Sequence, residues 1–137
     1  MKSHFDLTDA AFEREFESCA FNPELFTHEA HLRLAWIHLK KYGEESAIRN
    51  VSNQLMKYVD FLGAREKYNQ TLTTAAVKAV FHFMNKSNSD NFSEFIAEFP
   101  RLKFNFRELM EQHYTFDIFT SAEAKQVFLE PDLAMFD

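Results

Sequence analysis

The sequence contains few of the residues that build several common functional sites. It has a single cysteine, Cys19, and two glycines among its 137 residues. One cysteine cannot form an internal disulfide or a cysteine-based zinc or iron–sulfur site. The two glycines, at positions 43 and 63, are too few for a GxGxxG loop and too far apart for a GxxxxGK(S/T) loop. These absences exclude thiolate metal centres and both of those nucleotide-binding loops.

Basic residues are also in the minority. The chain carries 15 Lys+Arg against 21 Asp+Glu, a formal net charge of −6, which argues against nucleic acid or an anionic membrane surface as a partner. No run approaches the roughly 18 apolar residues that span a bilayer, and the first residues lack the apolar core of a signal peptide. We therefore expect a cytoplasmic protein that binds neither nucleic acid nor membrane.

Apolar residues recur at helical spacing throughout the chain, without strand-like alternation. The pattern predicts helices over about 8–20, 27–43, 44–63, 71–85, 92–99, 106–114 and 121–129. Gly43 and Gly63 fall at the ends of the second and third helices, where glycine commonly ends a helix. We predict a single all-α domain over residues 1–137. It should be an antiparallel bundle of four main helices with short C-terminal helices packed across it.

The second helix is unusual because it is apolar on two sides. Leu32 and Leu39 share one arc, which Trp36 borders, and a second apolar strip lies nearly opposite. Such a helix is typically packed by neighbours on both sides, so Leu32 and Trp36 are predicted to be buried. His28 and His31 fall in the first arc, at the N-terminal end of the helix, and are predicted to face the interior.

Two histidines three residues apart on one helix face can share a ligand or a metal ion. The helix N-terminus favours neutral imidazole, which is the form that coordinates metals. The alternative is structural, with one histidine bonded to a backbone carbonyl and the other taking part in capping. The pattern lacks the glutamate and the spacing of H-E-x-x-H. A divalent metal at His28 and His31 is therefore an option that the sequence does not require.

The segment from Tyr68 to Thr73 is a second concentration of polar side chains. Asn69 or Thr71 can cap the fourth helix, which would explain much of this polarity. Thr73, however, lies in the apolar arc of that helix, where a hydroxyl must find a partner or line a cavity. Because helices two and four run parallel in an up-down bundle, their N-termini share one end. The side chains predicted to meet there are His28, His31, Tyr68, Asn69 and Thr73.

The remaining polar candidates carry less weight. Glu13 and its charged neighbours are predicted to form a solvated face, and His38 and His82 are predicted to be solvated as well. Cys19 lies on an apolar stripe and is predicted to be a small core residue. His113 ends a short helix, where it can interact with the helix dipole.

Residues 26–36 read FTHEAHLRLAW and residues 67–73 read KYNQTLT. They are similar to the patterns F-x-H-x-x-H-(L/V)-R-(L/V)-A-W and K-Y-H-x-T-(L/I)-T of a family of small, uncharacterised helical proteins of bacteria. The C-terminal part of the family also resembles Tyr114, the run SAEA at 121–124 and the run PDL at 131–133. The resemblance thus covers the chain from about Phe26 to Leu133 and implies a shared fold and a shared pocket, without a particular reaction. The residues to which it points are His28, His31, Arg33, Trp36, Tyr68, Thr71 and Thr73.

Asn69 stands where the family pattern has histidine. A neutral amide is a poor ligand for a transition metal. If the family's histidine is a third metal ligand, this chain has lost it, and the departure therefore argues against a metal site.

Three functions are compatible with these observations. The first is a small-molecule pocket, with or without catalysis, and its ligand-binding residues would be His28, His31, Arg33, Trp36, Tyr68, Asn69, Thr71 and Thr73. The second is a noncatalytic module that binds a protein partner or self-associates, using exposed phenylalanines or the apolar residues 133–136. The third is a metalloprotein that uses His28 and His31 with a further ligand such as His113 or Glu66. The substrate and the oligomeric state stay open.

Overall fold

The computed structural model describes residues 2–136, and 65% of the chain is helical. Within those residues the α-helices, in chain order, are α1 (Asp9–Glu17), α2 (His28–Tyr42), α3 (Glu44–Phe61), α4 (Gln70–Met84), α5 (Phe92–Glu98), α6 (Arg101–Phe104), α7 (Phe106–Glu111) and α8 (Ala122–Gln126). Short 3-10 helices lie at His4–Asp6, Pro23–Leu25 and Arg65–Lys67. No strand occurs within residues 2–136. The prediction of an all-α fold is confirmed.

Side-chain caps explain where α2 and α4 begin. The Ala30 amide donates to Thr27 Oγ1 at 3.2 Å, and the Leu72 amide donates to Asn69 Oδ1 at 2.9 Å. Each cap satisfies an amide of the first turn that has no partner within the helix. Thr27 is the predicted cap of α2. Of the two candidates for α4, Asn69 is the cap and Thr71 is not.

Left-handed backbone marks the ends of the first three helices. Gly43 (φ +87°) separates α2 from α3, and Gly63 (φ +70°) follows α3, as predicted. Cys19 also has a positive φ, of 62°, because α1 ends at Glu17 and the chain turns there. Cys19 is half-buried in this turn, so the prediction that it packs on a helical stripe in the core is wrong.

Contacts concentrate in two compact units, Met1–Tyr68 and Asn69–Asp137. In the first unit, α1, α2 and α3 pack on one another. Its core is aromatic, and the rings of Phe16 and Tyr58 lie 4.6 Å apart between centroids. Leu32 and Trp36 are 1% and 4% exposed, which confirms that α2 is packed on more than one side.

In the second unit, α4 packs on α8 and α6 packs on α7. The short helix α6 was not among the predicted helices; it begins directly after Pro100, whose φ of −63° and ψ of −18° are already helical. The single domain over 1–137 stays a prediction. Within residues 2–136, no helix combines the length and the apolar character that crossing a membrane demands.

Candidate functional site

The His28-x-x-His31 pair occupies the first turn of α2. The His31 ring packs against Phe26, with centroids 5.6 Å apart, and its Nε2 is buried without a hydrogen-bond partner among residues 2–136. The His28 side chain is exposed, because it stands at the first position of the helix, ahead of the packed turns. The prediction that both imidazoles face the interior therefore holds for His31 and is wrong for His28.

His31 is half-buried, and the enclosure of its ring nitrogen keeps it neutral. Removal from water disfavours the imidazolium, and the nearby His28 disfavours it further, so the pKa of His31 falls to about 4. A buried nitrogen without a partner costs about 1–3 kcal/mol, and a ligand that bonds to it would recover that free energy. Acid–base catalysis works best with a pKa near the working pH. His31 is therefore suited to recognition more than to proton transfer at neutral pH.

Arg33 is committed to contacts within its own unit. Its guanidinium is buried and donates to the carbonyl oxygens of His4 (2.5 Å) and Leu7 (2.8 Å) and to the Asp9 carboxylate (2.8 Å). The central carbon of the guanidinium, Cζ, also lies 5.0 Å from the centroid of the Phe12 ring. These bonds attach the segment before α1 to α2. They leave Arg33 little capacity for the ligand that the motif predicted.

His4 completes this network and was not among the sequence candidates. It is 2% exposed, and its Nε2 lies 2.9 Å from Glu29 Oε1. Arg33 Nη1 lies 3.3 Å from His4 Nδ1, and arginine only donates, so Nδ1 accepts and the proton sits on Nε2, facing Glu29. No local pattern reveals this role, because the partners lie 25 and 29 residues away.

Trp36 and Tyr68 are both buried in the first unit. Trp36 is 4% exposed, with Lys40 Nζ 5.4 Å from its ring centroid. Tyr68 is 8% exposed and follows the 3-10 helix Arg65–Lys67, where its amide donates to the Arg65 carbonyl at 3.1 Å. Both side chains are packed inside the protein, as expected of aromatic core residues.

Asn69 and Thr71 fasten later parts of the second unit to the start of α4. Asn69 Nδ2 donates to the Ile118 carbonyl at 2.8 Å. Thr71 Oγ1 donates to the Val127 carbonyl at 2.7 Å and accepts from the Leu129 amide at 3.0 Å. Both side chains are buried, and these bonds account for them without a ligand.

Thr73 is 2% exposed in the first turn of α4, in agreement with its place on the apolar arc. It belongs to the second unit, as do Asn69 and Thr71, whereas His28, His31 and Tyr68 belong to the first. The convergence of these residues in one pocket stays a prediction.

A cleft in the first unit was not found from the sequence. It has a volume of about 520 Å³ and lies between α1 and the C-terminal end of α2, with Lys57 of α3 on its wall. Tyr42 Oη donates to Glu13 Oε2 at 2.5 Å, and Lys41 Nζ donates to Glu13 Oε1 at 3.0 Å. Glu13 is 9% exposed. The prediction that it is solvated is wrong, because Lys41 and Tyr42 cover it.

His38 is another histidine of α2, and it is buried more completely than His31. It is 1% exposed, so the prediction that it is solvated is wrong; its ring lies 5.3 Å from that of Tyr42, and Asn50 Nδ2 is 3.4 Å from its Nδ1. Burial lowers the pKa of His38, against the opposing effect of Glu13 and Glu17. Its Nε2 has no hydrogen-bond partner in the described chain.

The structure gives no third metal ligand beside His28 and His31 within residues 2–136. Among residues 2–136, no group of three or more His, Cys, Asp or Glu side chains is placed to hold a metal ion. Of the further ligands considered, His113 is bonded through Nδ1 to the Ala134 carbonyl at 2.7 Å, and Glu66 is exposed.

Comparison with known protein families, with curated proteins and with solved structures finds no match to this chain. The resemblance to the bacterial family therefore stays an expectation that rests on the sequence motifs.

Proposed function

We propose that the protein binds a small molecule through His31, at the first turn of α2, and that this role is recognition and not acid–base catalysis. The observation that supports the proposal is the buried Nε2 without a hydrogen-bond partner. Since the pKa of His31 is about 4, the ring is neutral under ordinary conditions. A neutral imidazole bonds equally to a hydroxyl, an amide or a carbonyl of a ligand, according to its tautomer.

His28 lies at the edge of the proposed site, because its side chain is exposed. The Arg33, Asn69 and Thr71 side chains support the surrounding structure through the bonds described above. Ligand contact by these three residues is therefore not part of the proposal.

The test is ligand-observed NMR with a set of small fragments that each carry one hydroxyl, amide or carbonyl group. We expect at least one fragment to bind the unmodified chain and to lose that binding in the His31→Gln variant. His38→Gln is the matched control, because His38 is the other histidine of α2 with a buried, unpartnered Nε2. Equal loss of binding in both variants, or no binding fragment at all, would contradict the proposal.

Metal binding is the second candidate, because neutral imidazole is also the form that coordinates zinc. Titration of the untagged protein with Zn²⁺ alone, followed by calorimetry, tests it. Zinc binding that His28→Gln and His31→Gln each abolish, together with no fragment binding, would replace the small-molecule proposal with the metal one.

A further inference from the structure

A pocket of about 170 Å³ lies in the unit Asn69–Asp137. Its walls come from the C-terminal half of α4 with Lys86 just beyond it, the start of α6, α7 with the residues just after it, and the segment Met135–Phe136. Apolar side chains form much of its lining, including Phe83, Leu109 and Phe136. The pocket therefore offers aromatic and aliphatic surface to a ligand.

The charged side chains that line this pocket, within the described part of the chain, are basic. Lys86 and Arg101 contribute a cation each, and no carboxylate is among the lining residues within 2–136. Neither cation takes part in an ion pair with the described part of the chain, whereas Arg107 lies 3.5 Å from the Asp117 carboxylate. This is a local excess of positive charge on a chain whose net charge is −6. A ligand for this pocket should bring a negative charge.

The wall made by the last described residues is held by specific bonds. His113 Nδ1 donates to the Ala134 carbonyl at 2.7 Å, and the Leu133 amide donates to the His113 carbonyl at 2.9 Å. The Phe136 ring stacks on the His113 ring with centroids 4.1 Å apart. The aromatic wall is thus positioned before any ligand arrives, which reduces the entropy lost on binding.

We propose that this pocket binds a small monocarboxylate with an apolar body, of the size of an aromatic acid such as benzoate. The carboxylate would lie at Lys86 and Arg101, and the apolar body against Phe83 and Phe136. The volume of about 170 Å³ lies below the roughly 300–1,000 Å³ of pockets for drug-sized ligands, so a single ring or a short acyl chain fits the space. Both halves of the ligand are needed, because the charge provides orientation and the ring provides buried apolar area.

The proposal is tested by titrating the full chain with benzoate and recording amide NMR spectra. We expect saturable shifts at the amides of Leu109 and His113. Benzamide has the same shape without the charge, and inorganic phosphate has charge without the ring. Each should bind at least about tenfold more weakly than benzoate, which corresponds to one charge-assisted contact or one buried ring.

Two arginine variants localise the carboxylate. Arg101→Gln should weaken benzoate binding about tenfold, whereas Arg107→Gln, on an arginine already paired with Asp117, should change it less than about twofold. Far-ultraviolet circular dichroism checks that both variants are folded.

Four outcomes would overturn the proposal. The first two are that benzamide, or phosphate, binds as tightly as benzoate. The third is that Arg101→Gln and Arg107→Gln weaken benzoate binding equally. The fourth is that benzoate causes no shift up to about 10 mM, which would mean negligible affinity. The comparison of benzoate with benzamide uses the unmodified chain, so it decides the question even if a variant fails to fold. The site is independent of His31, and a failure here leaves the proposed function unaffected.

Discussion

Tyr42 donates a hydrogen bond to Glu13 and thereby joins the C-terminal end of α2 to α1. Lys41 donates to the other oxygen of the same carboxylate at 3.0 Å. Burial acts to raise the pKa of Glu13, but the hydrogen bonds from Tyr42 and Lys41 outweigh it, and the pKa is lowered overall. The ionised carboxylate is therefore the form that the folded protein stabilises.

Glu13→Gln should lower the free energy of unfolding by about 1–2 kcal/mol near neutral pH, because it weakens two charge-assisted hydrogen bonds. The folded pKa is below the unfolded value of 4.5. The contribution is therefore complete above that value and is lost as the pH falls through the folded pKa. Urea unfolding at several pH values measures this. Glu17→Gln, on an exposed residue of the same helix, is the control, and a difference that stays constant down to acid pH would contradict the prediction.

Arg33→Met should destabilise the protein by about 3–5 kcal/mol, because it leaves buried acceptors and the Asp9 carboxylate without their donor. Arg33→Lys should have a smaller effect, since lysine keeps the positive charge although it lacks the planar guanidinium with its several donors. Asp9→Asn should cost less than about 1 kcal/mol, as the Asp9 side chain is 50% exposed. Denaturant unfolding ranks the three variants. Equal losses for Arg33→Met and Asp9→Asn would show that the backbone carbonyls contribute little.

Local features of the fold were predictable because their causes are local. Thr27 caps α2 through an amide three residues away, and Gly43 ends the helix through its own φ. The burial of Glu13 and His38 was not predictable in the same way. Lys41 and Tyr42 lie 28 and 29 residues from Glu13 in sequence, and no periodicity within α1 indicates that they cover it.

Leu32→Ala should cost about 2–5 kcal/mol, the usual range for a large-to-small change in a core. Leu32 is 1% exposed, so the deleted atoms leave a cavity. Phe61→Ala is the contrast, because Phe61 is 69% exposed and should change stability by less than about 0.5 kcal/mol. Thermal or urea unfolding measures both. A Leu32→Ala loss below about 0.5 kcal/mol would contradict the packing assigned to α2.

Thr71→Val should release the segment near Leu129 from α4. The change is nearly isosteric but removes the bonds to the Val127 carbonyl and the Leu129 amide, and each unpaired group costs about 1–3 kcal/mol where it stays buried. The direct measurement is hydrogen exchange at the Leu129 amide, which should accelerate in Thr71→Val and keep its protection in Thr71→Ser. Unchanged exchange in the valine variant would mean that the bond does not hold this segment.

At the start of α4, only part of the hydrogen bonding of the polar segment can be predicted from the sequence. Capping by Asn69 follows from spacing alone. The bonds of Asn69 to Ile118 and of Thr71 to Val127 join residues 49 and 56 positions apart. The polar residues that resemble a ligand site in the sequence are thus partly engaged in long-range hydrogen bonds that hold the structure together.

His31 should make stability fall as the pH is lowered from about 6.5 toward 4. The unfolded histidine titrates near 6.5, and the folded one near 4. Above pH 6.5 both states are neutral at this residue, so stability does not depend on its titration. Below pH 6.5 the unfolded state binds the proton more readily than the folded state, so lowering the pH favours unfolding. The full shift corresponds to about 3 kcal/mol as an upper bound, because the residue as a whole is only half-buried.

The measurement is the pH dependence of unfolding in urea, together with a histidine-resolved NMR titration. His31→Gln should flatten the stability curve between the two pKa values, whereas His28→Gln, on an exposed residue, should leave most of the slope. A ligand that donates to Nε2 should stabilise the protein at any pH above about 4, where the folded imidazole is neutral, and should lose this effect below that pH. A His31 resonance that titrates near 6.5 would show that the imidazole is solvated, and the proposed recognition role would then fail with it.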